Sequence, residues 1–104
     1  MRIASIDIGT NTVLLLIAEV DERSSIRTLE YQQRIPRLGK GVDASKNLHA
    51  DAMLRVVGVL KEYKVIISQY RVDRIIVAGT SAVRDAQNKD EFAKLIKDET
   101  GFHL

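Results

Sequence analysis

The stretch Arg2-Ile3-Ala4-Ser5-Ile6-Asp7-Ile8-Gly9-Thr10-Asn11-Thr12-Val13-Leu14-Leu15-Leu16-Ile17-Ala18-Glu19-Val20 decides the fold. Two apolar segments rich in β-branched residues flank Gly9-Thr10-Asn11-Thr12, and Val13 to Ala18 runs without polar alternation. That pattern predicts two buried strands joined by a tight polar turn. Working outward, Asp21-Glu22-Arg23-Ser24-Ser25 is a second turn, and the polar-dominated run Ile26 to Ile35 predicts a more exposed third strand. The chain therefore opens as a three-stranded antiparallel meander. Pro36 ends it by removing an N–H donor, and Arg37-Leu38-Gly39-Lys40-Gly41-Val42-Asp43 is a basic loop bearing two glycines.

Beyond the loop, Met53, Val56, Val57, Leu60, Tyr63, Ile67 and Tyr70 recur at three- and four-residue steps, which predicts a helix over about residues 50 to 70. Val72 to Ala78 holds Ile75-Ile76-Val77, so the helix is a crossover feeding a parallel strand. Thr80 or Ser81 is placed to cap a short helix, and a further helix follows Asn88, with Phe92, Leu95 and Ile96 on one face and Gly101 as its stop. The fold class is α/β, with a mixed sheet. A single crossover, a last helix with little sheet to pack on and the apolar Phe102-His103-Leu104 read as a truncated first domain; a complete small α+β domain is the alternative.

Composition narrows the chemistry. The 104 residues are 45% hydrophobic and 29% charged, the balance of a globular chain. The longest apolar run, Val13 to Ala18, is far short of the roughly 18 to 20 residues a spanning helix needs. Asp7 interrupts any signal-like stretch, so the reading is cytoplasmic, with no membrane partner. With no cysteine, disulfides, thiolate metal sites and cysteine nucleophiles are excluded. His49 and His103 are too few and too far apart for a histidine metal centre. A net charge of +2 gives no argument for duplex nucleic acid.

Two strand ends stand out. At Asp7-Ile8-Gly9-Thr10-Asn11-Thr12, glycine permits close backbone approach, turn N–H groups can form an anion nest, and two hydroxyls and an amide add donors. Asp7 would repel a bare phosphate, which makes sense with magnesium between them, held through water. The alternative is a plain hairpin turn in which Asp7 and Asn11 bond their own backbone. At Ala78-Gly79-Thr80-Ser81-Ala82-Val83-Arg84, a glycine, two hydroxyls and a helix start lie where ligands collect in open α/β sheets. Arg84, about one turn after Thr80, could reach back to phosphate; a capped helix with a solvated arginine is the alternative. Arg34, Arg37, Lys40 and Lys46 form a loose basic stretch, either an attractor of polyanions or a solvated loop. The tyrosines and methionine of the long helix read as core.

Asp7 to Thr12, Arg37-Leu38-Gly39-Lys40-Gly41, Thr80-Ser81-Ala82-Val83-Arg84-Asp85-Ala86 with Asn88, and Glu99-Thr100-Gly101 resemble, in order and spacing, the N-terminal part of the Ppx/GppA phosphatases. These are exopolyphosphatases and guanosine pentaphosphate phosphohydrolases. The resemblance covers essentially the whole chain and implies an actin-like, ribonuclease-H-like fold with its active site in a cleft between two such domains. It implies that Asp7 belongs to the magnesium and phosphate region and that Gly9, Thr10, Asn11 and Thr12 form the first phosphate loop. Arg84 would hold substrate phosphate, with Thr80 and Ser81 lining the same cleft, while the contact of the Arg37 to Gly41 motif stays unassigned. His49 departs from the serine or threonine that usually opens the long helix. The glutamate that activates water would follow the Gly101 region, beyond Leu104, and Glu99 does not take that part. The function implied is exopolyphosphatase, with inorganic polyphosphate as substrate, magnesium as cofactor and a homodimer for the full-length protein. Guanosine pentaphosphate hydrolysis, a phosphate- or nucleotide-binding module without turnover, and a purely structural domain are the competing readings.

Overall fold

The computed structural model describes residues 1–40 and 46–104. Its elements run β1 (Arg2–Ile8), β2 (Val13–Val20), β3 (Ile26–Arg34), α1 (Ala50–Ser68), β4 (Arg74–Gly79), α2 (Ser81–Arg84) and α3 (Lys89–Thr100). The four strands form one mixed sheet of order β3-β2-β1-β4. β1 pairs antiparallel with β2 and parallel with β4, and β2 pairs antiparallel with β3. Meander and crossover are as the sequence predicts. The parallel register sets Ile8 opposite Gly79, so β1 and β4 finish side by side.

Strand periodicity explains which residues go inside. Ala4, Ile6 and Ile8 on β1 and Val13, Leu15 and Ile17 on β2 are fully buried, and α1 adds Val56, Leu60 and Tyr63 to the same core. A buried aliphatic side chain contributes about 1.5–3 kcal/mol, so Leu60→Ala, which also leaves a cavity, would cost about 2–5 kcal/mol. Tyr63 meets the demand of its buried hydroxyl by donating to the Val13 carbonyl at 2.6 Å, and burial pushes its phenol pKa up. α3 adds Phe92 and Ile96, both fully buried. It ends at Gly101, whose φ of 81° is a left-handed stop that glycine adopts without a Cβ penalty.

One expectation is corrected. β1 and β2 are covered on one face only: Leu16 is 38% exposed, and on the same side Tyr31 and Ile76 are 56% and 45% exposed. An apolar run without alternation does not state how many faces have a partner, and the buried side chains here gather on the α1 face. Likewise β4 starts at Arg74 rather than Val72 and is an edge strand, which leaves Ile75 and Ile76 accessible. Tyr70 lies past the end of α1, and its hydroxyl donates to Glu30 at 2.5 Å.

Candidate anion-binding site

The turn after β1 is closed by the Gly9 N–H donating to the Thr12 carbonyl at 2.8 Å. Space at Gly9 is tight: a Cβ there would lie 3.2 Å from the Thr12 carbonyl oxygen, which would have to give by a few tenths of an ångström, and at an ordinary 3.7 Å from Thr80 Oγ1. Among the described residues, no hydrogen bond occupies the side chains of Asp7, Thr10, Asn11 or Thr12. Asn11 and Asp7 therefore do not spend themselves on their own backbone, as a plain Asx turn would have them do. The turn rests on the loop after β3. Arg37 N–H donates to the Asn11 carbonyl at 3.1 Å, and Gly39 N–H donates to the Thr10 carbonyl at 2.8 Å. Leu38, fully buried, anchors that loop in the core. A Cβ on Gly39 would come within 2.5 Å of Thr10 Cγ2, so with any other residue the Thr10 side chain could not keep this position. Gly41, the last residue of the motif, and the neighbouring Val42 and Asp43 lie outside the described residues.

The corner after β4 is tied to the same place. Thr80 donates to the Ile8 carbonyl through its N–H at 3.0 Å and through Oγ1 at 3.3 Å. Thr80 holds the N-cap position of α2, yet no side-chain hydroxyl caps that helix; the Thr80 hydroxyl joins strand ends instead. Gly79 allows α2 to fold back, since a Cβ there would lie 2.7 Å from Val83 Cβ.

Between turn and corner lies an open cleft of about 250 Å³ lined by Thr10, Gly39, Lys46, Ser81, Ala82 and Asp85. Of the residues singled out in the sequence, Thr10 and Ser81 face it, and Gly9 and Thr80 build its wall. Arg84 does not line it: its side chain is 69% exposed and its Nε lies 3.6 Å from Asp85 Oδ1. Asn11 and Asp7 are exposed, Asn11 in the turn and Asp7 near the end of β1, opposite in orientation to the buried Ile6 and Ile8. The basic stretch splits. Lys46 reaches the cleft, whereas Arg34 pairs with Glu62 at 3.4 Å and lies 5.9 Å over the Tyr63 ring.

Sequence reading missed the parts of Asp85, Gly39 and Asn88. Asn88 starts α3, but its amide bridges to Leu48: its Oδ1 accepts from the Leu48 N–H at 2.9 Å and its Nδ2 donates to the Leu48 carbonyl at 3.0 Å. Gln87 N–H adds a bond to the Lys46 carbonyl at 3.0 Å, holding the segment that carries Lys46 against the corner. His49 opens α1 with no side-chain cap bond, in line with its departure from the usual residue.

Magnesium fits one binding mode here. Among the described residues no three acidic or histidine side chains gather into a metal cage. Among the described residues Asp7 is an exposed carboxylate with no competing partner, and magnesium takes one or two carboxylates together with substrate phosphates while keeping several waters.

The mixed sheet of order β3-β2-β1-β4, with polar turns at the ends of β1 and β4, matches solved Ppx/GppA structures at TM-scores of 0.91 and 0.93, which places it in the ribonuclease-H-like, actin-like class. The chain belongs to the Ppx/GppA phosphatase family, whose model matches residues 16–104. It is 43% identical over 103 residues to a bifunctional 3-dehydroquinate synthase/phosphatase of Fusobacterium nucleatum, covering 93% of this chain and 16% of that protein. It is 36% identical over 106 residues to exopolyphosphatase 2 of Mycobacterium tuberculosis, covering 99% of this chain and 33% of the relative. The solved PPX-GPPA enzyme of Aquifex aeolicus superimposes with a TM-score of 0.91 at 38% identity, over 99% of this chain and 34% of that one. The chain thus spans about a third of the exopolyphosphatase it matches. Among the described residues no helix is long and apolar enough to cross a membrane.

Proposed function

We propose that the chain supplies the first phosphate-binding half-site of an exopolyphosphatase, which hydrolyses the terminal phosphoanhydride of inorganic polyphosphate to release orthophosphate. The observation that carries the reading is the register of Ile8 with Gly79, which sets the Thr10 turn and the Ser81 corner on the two sides of one cleft. Among the described residues the Thr10 and Ser81 hydroxyls have no hydrogen-bond partner, and with the Lys46 ammonium they are donors to phosphate oxygens. The Thr12 hydroxyl and the Asn11 amide extend that donor set along the turn. The lining holds hydroxyls, an ammonium, small residues and the Asp85 carboxylate, and among the described residues no aromatic ring lines it to stack on a purine base, which favours polyphosphate over guanosine pentaphosphate.

In this reading the turn orients the terminal phosphoryl group, and Arg84 leaves Asp85 to stabilise charge on it as the bridging bond breaks. Leaving costs little, because an exposed ion pair is worth only about 0–1 kcal/mol. Magnesium, when held by Asp7 through water, would offset negative charge on the phosphates. None of the residues described here is assigned the part of the base that activates water.

The test is a melt of the chain with linear tripolyphosphate and magnesium, beside an assay of orthophosphate release from long-chain polyphosphate by a full-length enzyme that carries this chain. Ligand at tenfold its Kd stabilises a native site by about 1.4 kcal/mol, a rise of several degrees for a domain of this size. An unchanged Tm contradicts phosphate binding. A rise without release points to a binding module.

A further inference from the structure

We propose that Arg55, on α1 and outside the cleft, is a positioning residue that holds the Gly9 to Thr12 turn in its anion-binding shape through the loop after β3. The inference rests on the phosphate-binding reading of that turn. Phosphate oxygens are attracted by N–H groups and repelled by carbonyl oxygens, so a turn serves as an anion nest only if its carbonyls are turned away and satisfied elsewhere. The Thr10 and Asn11 carbonyls are both taken, by the N–H groups of Gly39 and Arg37. The shape of the turn therefore depends on where the loop carrying those two donors stands.

Besides the buried Leu38, one side chain among the described residues ties down the carbonyls of that loop. Arg55 Nε donates to the Pro36 carbonyl at 2.8 Å, and a terminal guanidinium nitrogen reaches the Arg37 carbonyl at 3.3 Å. Among the described residues no other side chain donates to either carbonyl. Arg37 itself has φ of 54°, a left-handed backbone that a side-chain-bearing residue keeps only when its surroundings impose it. Leu38 is clamped in the core and Gly39 lies against Thr10, so the hold propagates without slack from helix to loop to turn. A rigid fork of donors suits two adjacent carbonyls; a lysine ammonium would serve one or both less firmly.

The test compares the wild-type chain with Arg55→Gln and Arg55→Lys by amide hydrogen exchange and by titration with magnesium and linear tripolyphosphate. In Arg55→Gln the Arg37 and Gly39 amides should exchange at least about tenfold faster, and the tripolyphosphate Kd should rise about five- to tenfold. Amides inside β1 and β4 should keep their protection, and Arg55→Lys should recover part of both effects. Unchanged exchange in Arg55→Gln, or faster exchange with unchanged Kd, overturns the proposal. If Arg55→Gln loses protection across the whole sheet, Arg55→Lys decides: intermediate exchange and Kd support the role, and wild-type values overturn it. If the wild-type chain binds no tripolyphosphate, the phosphate reading fails, and exchange at Arg37 and Gly39 still upholds or refutes the hold of Arg55 on the loop.

Discussion

The turn after β1 has its Thr10 and Asn11 carbonyls taken by a neighbouring loop, a buried Leu38 beneath that loop and a glycine packed against Thr10. Among the described residues, the corner after β4 is hydrogen-bonded to β1 through Thr80, and beyond it Ser81 and Arg84 stand exposed, with a surface ion pair from Arg84 to Asp85. The two walls of one cleft thus differ in how far they are built before a ligand arrives. A pre-shaped wall pays its ordering cost during folding and fixes where an anion sits. An exposed arginine keeps its freedom and can follow charge as it develops, where electrostatic help speeds a reaction most. In the proposed reading, the turn recognises the ground state and the corner answers the transition state.

That division is open to attack at several points. The largest effect is expected at Arg84: in a full-length enzyme that carries this chain, its replacement by alanine should lower orthophosphate release from polyphosphate by about a hundredfold. The Tm should hardly move, because surface substitutions away from special features usually stay within about 0.5 kcal/mol. Release at the wild-type rate would remove the corner from the chemistry. Next comes Gly79→Ala, whose Cβ would lie 2.7 Å from Val83 Cβ, an atom fixed to the α2 backbone. Overpacking of this kind costs about 1–3 kcal/mol, which calorimetry should read as a fall in Tm on the order of 10 °C. Gly39→Ala should cost less stability, since the atom it crowds is the Thr10 methyl, which turns about χ1. That rotation moves the Thr10 hydroxyl, so tripolyphosphate affinity should drop while the melt changes by only about 1 kcal/mol. A Gly39→Ala chain that binds as well as wild type would deny that the turn is pre-shaped.

The smallest effect tests whether the cleft is independent of the rest of the sheet. The Tyr70 hydrogen bond, with help from Gln32, holds the Glu30 carboxyl below its ordinary 4.5, and the same bond to Glu30 holds the Tyr70 phenol above its ordinary 10.0. The Glu30 contribution to stability is therefore present above the usual carboxylate range and lost as pH falls through its lowered pKa. The Tyr70 contribution is present below the usual phenol pKa and lost as pH rises through its raised value. Tyr70→Phe should flatten both limbs of the stability profile slightly and leave tripolyphosphate affinity unchanged. A change in affinity would couple the Tyr70–Glu30 contact to the cleft.

Much of the fold was legible because hydrophobic period reports local geometry. Val13 to Val20 announced a strand, Met53 to Ile67 announced a helix face, and Gly101 marked a helix end that its φ of 81° bears out. What the period does not report is which neighbour arrives from elsewhere in the chain. Leu16 and Ile76 look as buried as Leu15 and Val77 in sequence, and only the placement of α1 separates them. The same limit applies to the site. Gly9, Thr10, Thr80 and Ser81 were visible as small and polar residues at strand ends, and the β1–β4 register brings them together. Arg34 reads like Lys46 in a basic stretch, yet Glu62 and the Tyr63 ring engage the one and the cleft receives the other. The buttress under the turn depends on backbone bonds between residues far apart in sequence, and the chemistry of Arg37 or Arg55 alone gives no sign of it.

The most direct measurement is a heteronuclear NMR titration of the chain with linear tripolyphosphate in the presence of magnesium. The amides of Gly9, Thr10, Asn11 and Thr12 should shift together with those of Thr80, Ser81 and Arg84, along one saturating curve with one Kd. Shifts confined to scattered surface lysines and arginines, or separate curves for turn and corner, would contradict a single cleft built from the ends of β1 and β4.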